Sequence, residues 1–336
     1  MAAGATTPHA DVSPTRRGTL VGATAVLLWA TLATLTVLSG DVPPFQLLAM
    51  CFALGAGVGV IGQAVLARRD DGRQTTDHGR TSVGSLPSPV GGRSIRGLSS
   101  VVSRPSLPLR VWALGLYGLF GYHFAYFMAL RLAPPVDAGL IAYLWPLLIV
   151  LMAALLPGER LRGYQVGGAL AGFAGAALLV TRGRGLSLDP QYIPGYAFAL
   201  ACALIWSSYS VLSRRAGAVP TSAVGAFCAV TAALALLCHL VFEETVWPSG
   251  WQWAAVVALG LGPVGAAFYT WDYGVKRGNI QALGAFAYAA PLLSTLLLIA
   301  LGLAEPSWTL AAACALIVGG AVFASGWWRA LSRRGR

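Results

Sequence analysis

Tyr143-Leu144-Trp145-Pro146-Leu147-Leu148 returns 145 residues further along as Tyr288-Ala289-Ala290-Pro291-Leu292-Leu293. The same offset lays Gly121 to Arg131 over Ala266 to Lys276 and matches aromatic to aromatic, Phe124 with Tyr269 and Tyr126 with Trp271. Leu28-Trp29-Ala30-Thr31 has a partner of its own in Ile205-Trp206-Ser207-Ser208, at an offset of 177 that also sets Gly18 on Gly195. The two offsets differ by about the length that residues 68–108 add over the connection 242–250, so one duplication with an insertion accounts for every match.

Around these matches the chain is made for lipid. It has 336 residues, 57% hydrophobic and 10% charged, with a mean hydropathy of +0.68. A fold in water carries about 25% charged residues to cover its surface, so a soluble globular domain is excluded. A helix needs about 20 apolar residues to cross about 30 Å of hydrocarbon, and ten such stretches are present. They run near 19–38, 43–67, 109–131, 135–157, 163–181, 193–213, 219–241, 251–274, 280–303 and 308–328. The apolar run after Arg16 and Arg17 is about 20 residues long, has Trp29 in its middle and lacks a convincing cleavage site, so it reads as a retained span.

Charge gives the orientation. Of 23 basic residues, 20 fall on one side of a ten-span arrangement; Arg131, Arg182 and Arg184 fall on the other, with Asp41, Asp137, Asp189, Glu243, Glu244 and Glu305. The positive-inside rule then predicts a multi-pass membrane protein with both termini cytoplasmic. Residues 1–18 are a cytoplasmic tail, 19–181 the first five-helix repeat with a disordered loop at 68–108, 193–328 the second repeat, and 329–336 a basic tail. Five crossings per half reverse the second half against the first. The predicted fold is all-α and polytopic, ten transmembrane helices as two inverted five-helix repeats, an architecture that lets two similar halves exchange access between the two sides.

Ala129-Leu130-Arg131-Leu132-Ala133-Pro134, Tyr143-Leu144-Trp145-Pro146 and Pro157-Gly158-Glu159-Arg160 resemble the drug/metabolite transporter superfamily and its ten-span EamA-type carriers. With Gly121-Tyr122-His123-Phe124-Ala125-Tyr126 added, the chain is similar to the bacterial aromatic amino acid exporters within it. The resemblance implies a secondary transporter of the bacterial inner (plasma) membrane that exports aromatic amino acids or similar small amphipathic metabolites by alternating access through a central aromatic-lined cavity. A broad-specificity exporter of other neutral amino acids or hydrophobic compounds is the alternative, and a multispan enzyme a further one. The second half departs from the pattern at Ala289-Ala290, and Glu305 stands one residue off the position of Glu159.

Depth along a helix, at about 1.5 Å per residue, sets Trp29 and Trp206 near the bilayer midplane, where alternating-access sites sit. Tyr122, His123 and Tyr126 share one face of the third span, and Tyr143 and Trp145 reach a comparable depth on the fourth; Tyr269 and Tyr288 are their counterparts in the other half of the membrane. Such rings and hydroxyls suit a planar apolar solute with polar ends, and they also suit simple helix packing. Ser207, Ser208 and Ser210 either bind a ligand's ends or bond back within their helix. Pro146 and Pro291 interrupt helix interiors, as gating kinks or as passive ones. His123 and Asp272 are the ionisable candidates for a proton site, and Glu159 and Asp272 are candidates for ion pairs with arginine at the cytoplasmic face.

No Lys or Arg lies inside a span away from its ends, which excludes a carrier of sugar nucleotides, and no acid lies in the first span, against a small-cation exporter. HExxH, P-loop and GxSxG patterns are absent, and the five cysteines form no CxxC pair, so neither an enzyme nor a metal or other cofactor is expected. Basic residues punctuate the apolar runs instead of clustering with aromatics, against nucleic acid as a partner. The expected partners are the lipid bilayer and an aromatic or neutral amino acid, with the monomer as the working unit.

Overall fold

The computed structural model describes residues 13–78, 107–183, 189–302 and 305–325. Nine helical spans in it are long and apolar enough to cross a membrane: Pro14–Leu38, Pro44–Val65, Leu109–Leu132, Pro135–Leu155, Gly163–Thr181, Pro190–Arg215, Ala223–Phe242, Gln252–Arg277 and Ile280–Ala300. A tenth, Trp308–Ala324, is apolar and shorter. In hydrocarbon a backbone can satisfy its polar groups only within itself, which is why the apolar runs are helices throughout.

Several boundaries differ from those read in the sequence. The first helix starts at Pro14, capped by the Ser13 hydroxyl accepting from the Arg16 amide, so residues 14–18 are helical and continuous with the first span. The second helix runs from Pro44 to His78, so residues 68–78, expected as loop, continue it. The rest of the expected loop from 79 to 106, residues 1–12 and the tail 329–336 lie outside the described residues.

The duplication reappears in the irregularities of the helices. The third span has a π-helical turn at Tyr117–Gly121 and the eighth has one at Gly262–Ala266, displaced by the same 145 residues that separate the sequence matches. The fourth span is a helix Pro135–Ala142, a break at Tyr143 and Leu144, then a helix from Trp145; the ninth is Ile280–Ala287, a break at Tyr288, then Ala289–Ala300. Pro146 and Pro291 therefore sit in the first turn of a new helical segment rather than in a helix interior. The amide that proline lacks would be unpaired there in any case. The halves are not identical: the first span breaks at Ala30 and Thr31, just past Trp29, whereas its counterpart runs unbroken over Ile193–Arg215.

Several helix crossings hold the halves together, and two of them are related to each other by the repeat. On the first and eighth spans Gly18 and Gly22 face Gly278 and Gly274 so closely that a methyl group on Gly22 would stand 2.9 Å from the Gly274 Cα. On the sixth and third, Gly195 and Ala199 face Ala133 and Ala129. Lipid supplies no hydrophobic drive between helices, so close approach over small residues is what binds them.

The crossings divide the charges between two ends. One end, the basic face, carries the Arg214–Glu159 ion pair at 2.9 Å, with Arg214 also donating to the carbonyls of Val275 and Gly278. There the Asn279 amide donates to the Thr19 hydroxyl, and Gln165 donates to Gln281. At the other end, the acidic face, the Glu243 carboxylate accepts from the Phe45 and Gln46 amides at the start of the second span, a favourable place for a negative charge. Near the basic face the fourth and ninth spans pack on each other, Trp145–Met152 against Ile280–Ala287. Toward the acidic face they part, Pro135–Ala142 turning to the sixth span and Ala289–Ala300 to the first and tenth.

Gly274→Val should force the first and eighth spans apart and cost about 1–3 kcal/mol, the usual size of overpacking. Thermal unfolding of the detergent-purified protein checks this against Gly57→Val, where a Cβ meets nothing within 4 Å and the midpoint should stay put.

Candidate functional site

The breaks and π-turns bring rings from six spans to one place. Trp29 ends the first helical segment of its span and reaches across to the eighth, its indole N–H donating to the Pro263 carbonyl in the π-turn at 3.1 Å. Its ring lies 6.0 Å from Trp145, 5.8 Å from Trp206, 6.3 Å from Phe268 and 5.1 Å from Trp271. Trp145 and Trp206 also touch each other, and both touch Trp271. Most of these contacts are edge-to-face, the arrangement that ring quadrupoles favour.

A second layer extends from this cluster toward the acidic face. Tyr122 lies 5.3 Å from Trp206 and stacks in parallel with Tyr126 at 6.2 Å, one helical turn on. Tyr143, at the break of the fourth span, lies beside Tyr126. His123 meets Phe52 and Phe268 ring to ring, and its Nδ1 lies 2.6 Å from the Leu119 carbonyl. A carbonyl only accepts, so Nδ1 carries the proton, and Nε2 is left as the position that accepts in the neutral ring and donates in the protonated one. Trp145, Trp206 and Trp271 are buried, whereas Trp29, Tyr122, Tyr126 and Tyr143 are partly open.

The sequence-derived residues thus divide into two groups. Trp29, Tyr122, His123, Tyr126, Tyr143, Trp145 and Trp206 come together. Tyr269 instead lies between the second and seventh spans, its hydroxyl donating to the Gly55 carbonyl at 2.9 Å. Tyr288 is fully buried against Phe173 of the fifth span, and its hydroxyl accepts from the Leu147 amide at 3.1 Å. That amide lost its helical partner when the fourth span broke at Tyr143, so Tyr288 repairs the break. The Ser207 and Ser208 hydroxyls donate back to their own helix, at Ala203 and Leu204. Ser210 does the same at Trp206 while accepting from the Trp271 indole at 3.1 Å, which holds that ring in place. Asp272 is paired with Lys276 and accepts from Thr221; its partner is a lysine where an arginine was expected, and it faces away from the rings.

Phe52, Phe268 and Trp271 are in the cluster and were not expected there. The repeat holds the signal for two of them: Trp271 stands at the offset of Tyr126, and Phe268 at the offset of His123. Phe52 has no such sign.

Comparison with known proteins agrees with this architecture. The EamA-like transporter family matches twice, over residues 16–181 and 193–326. The aromatic amino acid exporter YddG of Ancylobacter novellus is 54% identical over 91% of this chain and 96% of its own length. That of Escherichia coli is 23% identical over 56% of this chain and 66% of its own. A solved crystal structure, 53% identical, superposes with a TM-score of 0.78 over 92% of this chain and 98% of the other.

Tyr288→Phe removes the acceptor from a buried amide and should cost about 1–3 kcal/mol. A lowered thermal midpoint with unchanged affinity for solute is expected; a lowered affinity at unchanged midpoint would put Tyr288 in the site instead.

Proposed function

The chain belongs to the EamA-like transporter family, and from that premise we propose that it exports aromatic amino acids, or small amphipathic metabolites like them, across the bacterial inner membrane. The observation that carries this reading is the cluster of Trp29, Trp145, Trp206, Phe268 and Trp271 at mid-depth, rimmed by Tyr122, Tyr126, Tyr143 and His123. A planar side chain gains by stacking on such rings, and its ammonium group gains from their negative faces. The tyrosine hydroxyls and His123 Nε2 offer hydrogen bonds to the polar end. The names of the relatives point the same way.

In this reading the basic face is cytoplasmic, by the positive-inside rule. The partial exposure of Trp29, Tyr122, Tyr126 and Tyr143, with the parting of the fourth and ninth spans, makes this the state open toward the acidic, outer face. The Arg214–Glu159 pair and the Gln165–Gln281 bond then close the cytoplasmic side. Inversion of the repeat supplies the opposite state, in which the outer contacts close and these release. The tyrosine-lined entrance and the Trp145 ring belong to the first half alone, so the solute meets unlike walls on its way through. All these residues come from one chain, and the monomer suffices.

Trp145→Ala removes a buried ring and leaves a cavity, so thermal unfolding is measured beside transport to establish that the variant is folded. Uptake of phenylalanine, tyrosine and tryptophan into proteoliposomes should fall about tenfold, the size of one lost ring contact at the upper end of its range. Unchanged uptake would remove the rings from the substrate path. Parallel assays with lysine and glutamate should show no transport by either protein.

His123→Gln keeps a donor for the Leu119 carbonyl and removes the titrating group. The pH profile of uptake should be unchanged, and a flattened profile would make His123 the proton carrier.

A further inference from the structure

A cavity of about 270 Å³ opens on the basic face, apart from the rings. Arg160 and Arg162 line it from the connection after the fourth span, Tyr164 and Gln165 from the start of the fifth, and Asn279 and Gln281 from the start of the ninth. Glu159 also lines it, but its carboxylate is engaged by Arg214 at 2.9 Å. No carboxylate among the described residues forms an ion pair with Arg160 or Arg162. The cavity is therefore left with two exposed guanidinium groups and one neutralised acid.

Its walls add to that charge and fix it. The fifth-span helix starts at Gly163 and the ninth at Ile280, so both present their positive ends here. Arg162 donates to the Tyr164 hydroxyl at 3.1 Å and lies 6.0 Å over its ring, which holds the guanidinium at the rim. The floor is the buried Gln165–Gln281 bond of 2.6 Å. Leu155 and Leu161, 69% and 41% exposed, flank the arginines with apolar surface at the end of the span. Basic recesses between helices at the level of the headgroups are where membrane proteins hold acidic lipids.

We propose that this cavity binds the phosphate of an anionic phospholipid headgroup, with the acyl chains lying along Leu155 and Leu161. Arginine forks match phosphate oxygens in pairs, which a zwitterionic lipid offers with its own cation attached. Arg160, Arg162, Tyr164 and Gln165 belong to the first half, and Asn279 and Gln281 to the second. A bound headgroup thus spans the seam and favours the state in which this face is closed. The inference stands whichever solute the rings carry.

The test is thermal unfolding of the full chain in detergent, titrated with dioleoylphosphatidylglycerol, with dioleoylphosphatidylcholine, or with inorganic phosphate alone. Phosphatidylglycerol should raise the midpoint by a few degrees over phosphatidylcholine, as ligand linkage requires. The gain should vanish in the Arg160→Gln/Arg162→Gln variant and persist in Arg182→Gln, on the opposite face. An equal gain in the double variant overturns the proposal; an arginine-dependent gain from inorganic phosphate alone overturns the lipid as the source and assigns a free anion. Should the double variant not fold, photoreactive phosphatidylglycerol on the unaltered protein decides. Labelling within 158–165 or 279–281 supports the site, and labelling confined elsewhere overturns it.

Discussion

Trp29 and Trp206 hold equivalent positions in the two halves, and their rings touch at 5.8 Å. A residue can meet its own repeat equivalent only close to the axis that relates the copies. His123 and Phe268, equivalent at the other offset, meet at 5.9 Å. In the proposed arrangement of inverted halves the axis that relates them therefore runs through the ring cluster, at the depth proposed for the alternating-access site. Symmetry is broken within the cluster: His123 faces Phe268, and Trp145 has an alanine as its counterpart.

Lipid makes each irregularity of the helices costly, because a freed amide or carbonyl finds no water there. The way each one is repaired ties the site to the scaffold. Trp29 occupies a carbonyl of the eighth span's π-turn, Tyr288 occupies the amide freed by the fourth span's break, and Ser210 joins Trp271 to the backbone at Trp206. Breaks of this kind are where helices can bend without losing further bonds. The rings thus sit beside the points at which the spans can move.

Span number and the duplication were legible because hydropathy and internal matches are one-dimensional signals. The side-chain rotation of each helix was less so. Tyr269 packs on the second span, as its sequence match Phe124 does, so neither faces the rings, whereas Tyr288 turns to Phe173 and the Leu147 amide instead of to the rings that its match Tyr143 meets. The serines beside Trp206 could not be assigned from spacing, because bonding back to the helix and facing a ligand use the same positions. Phe52, apolar in an apolar span, differs from its lipid-facing neighbours only in three dimensions. The helical extension to His78 was hidden by composition, as its polar residues read equally well as loop.

The most direct measurement is a structure of the chain bound to L-tryptophan in the state open to the acidic face. The ligand's indole should lie within about 6 Å of the Trp29 and Trp206 ring centroids, with its amino acid end toward Tyr122, Tyr126 and His123. An indole bound on the lipid-facing surface, or only in the cavity beside Arg160, would contradict a transport path along the axis between the halves.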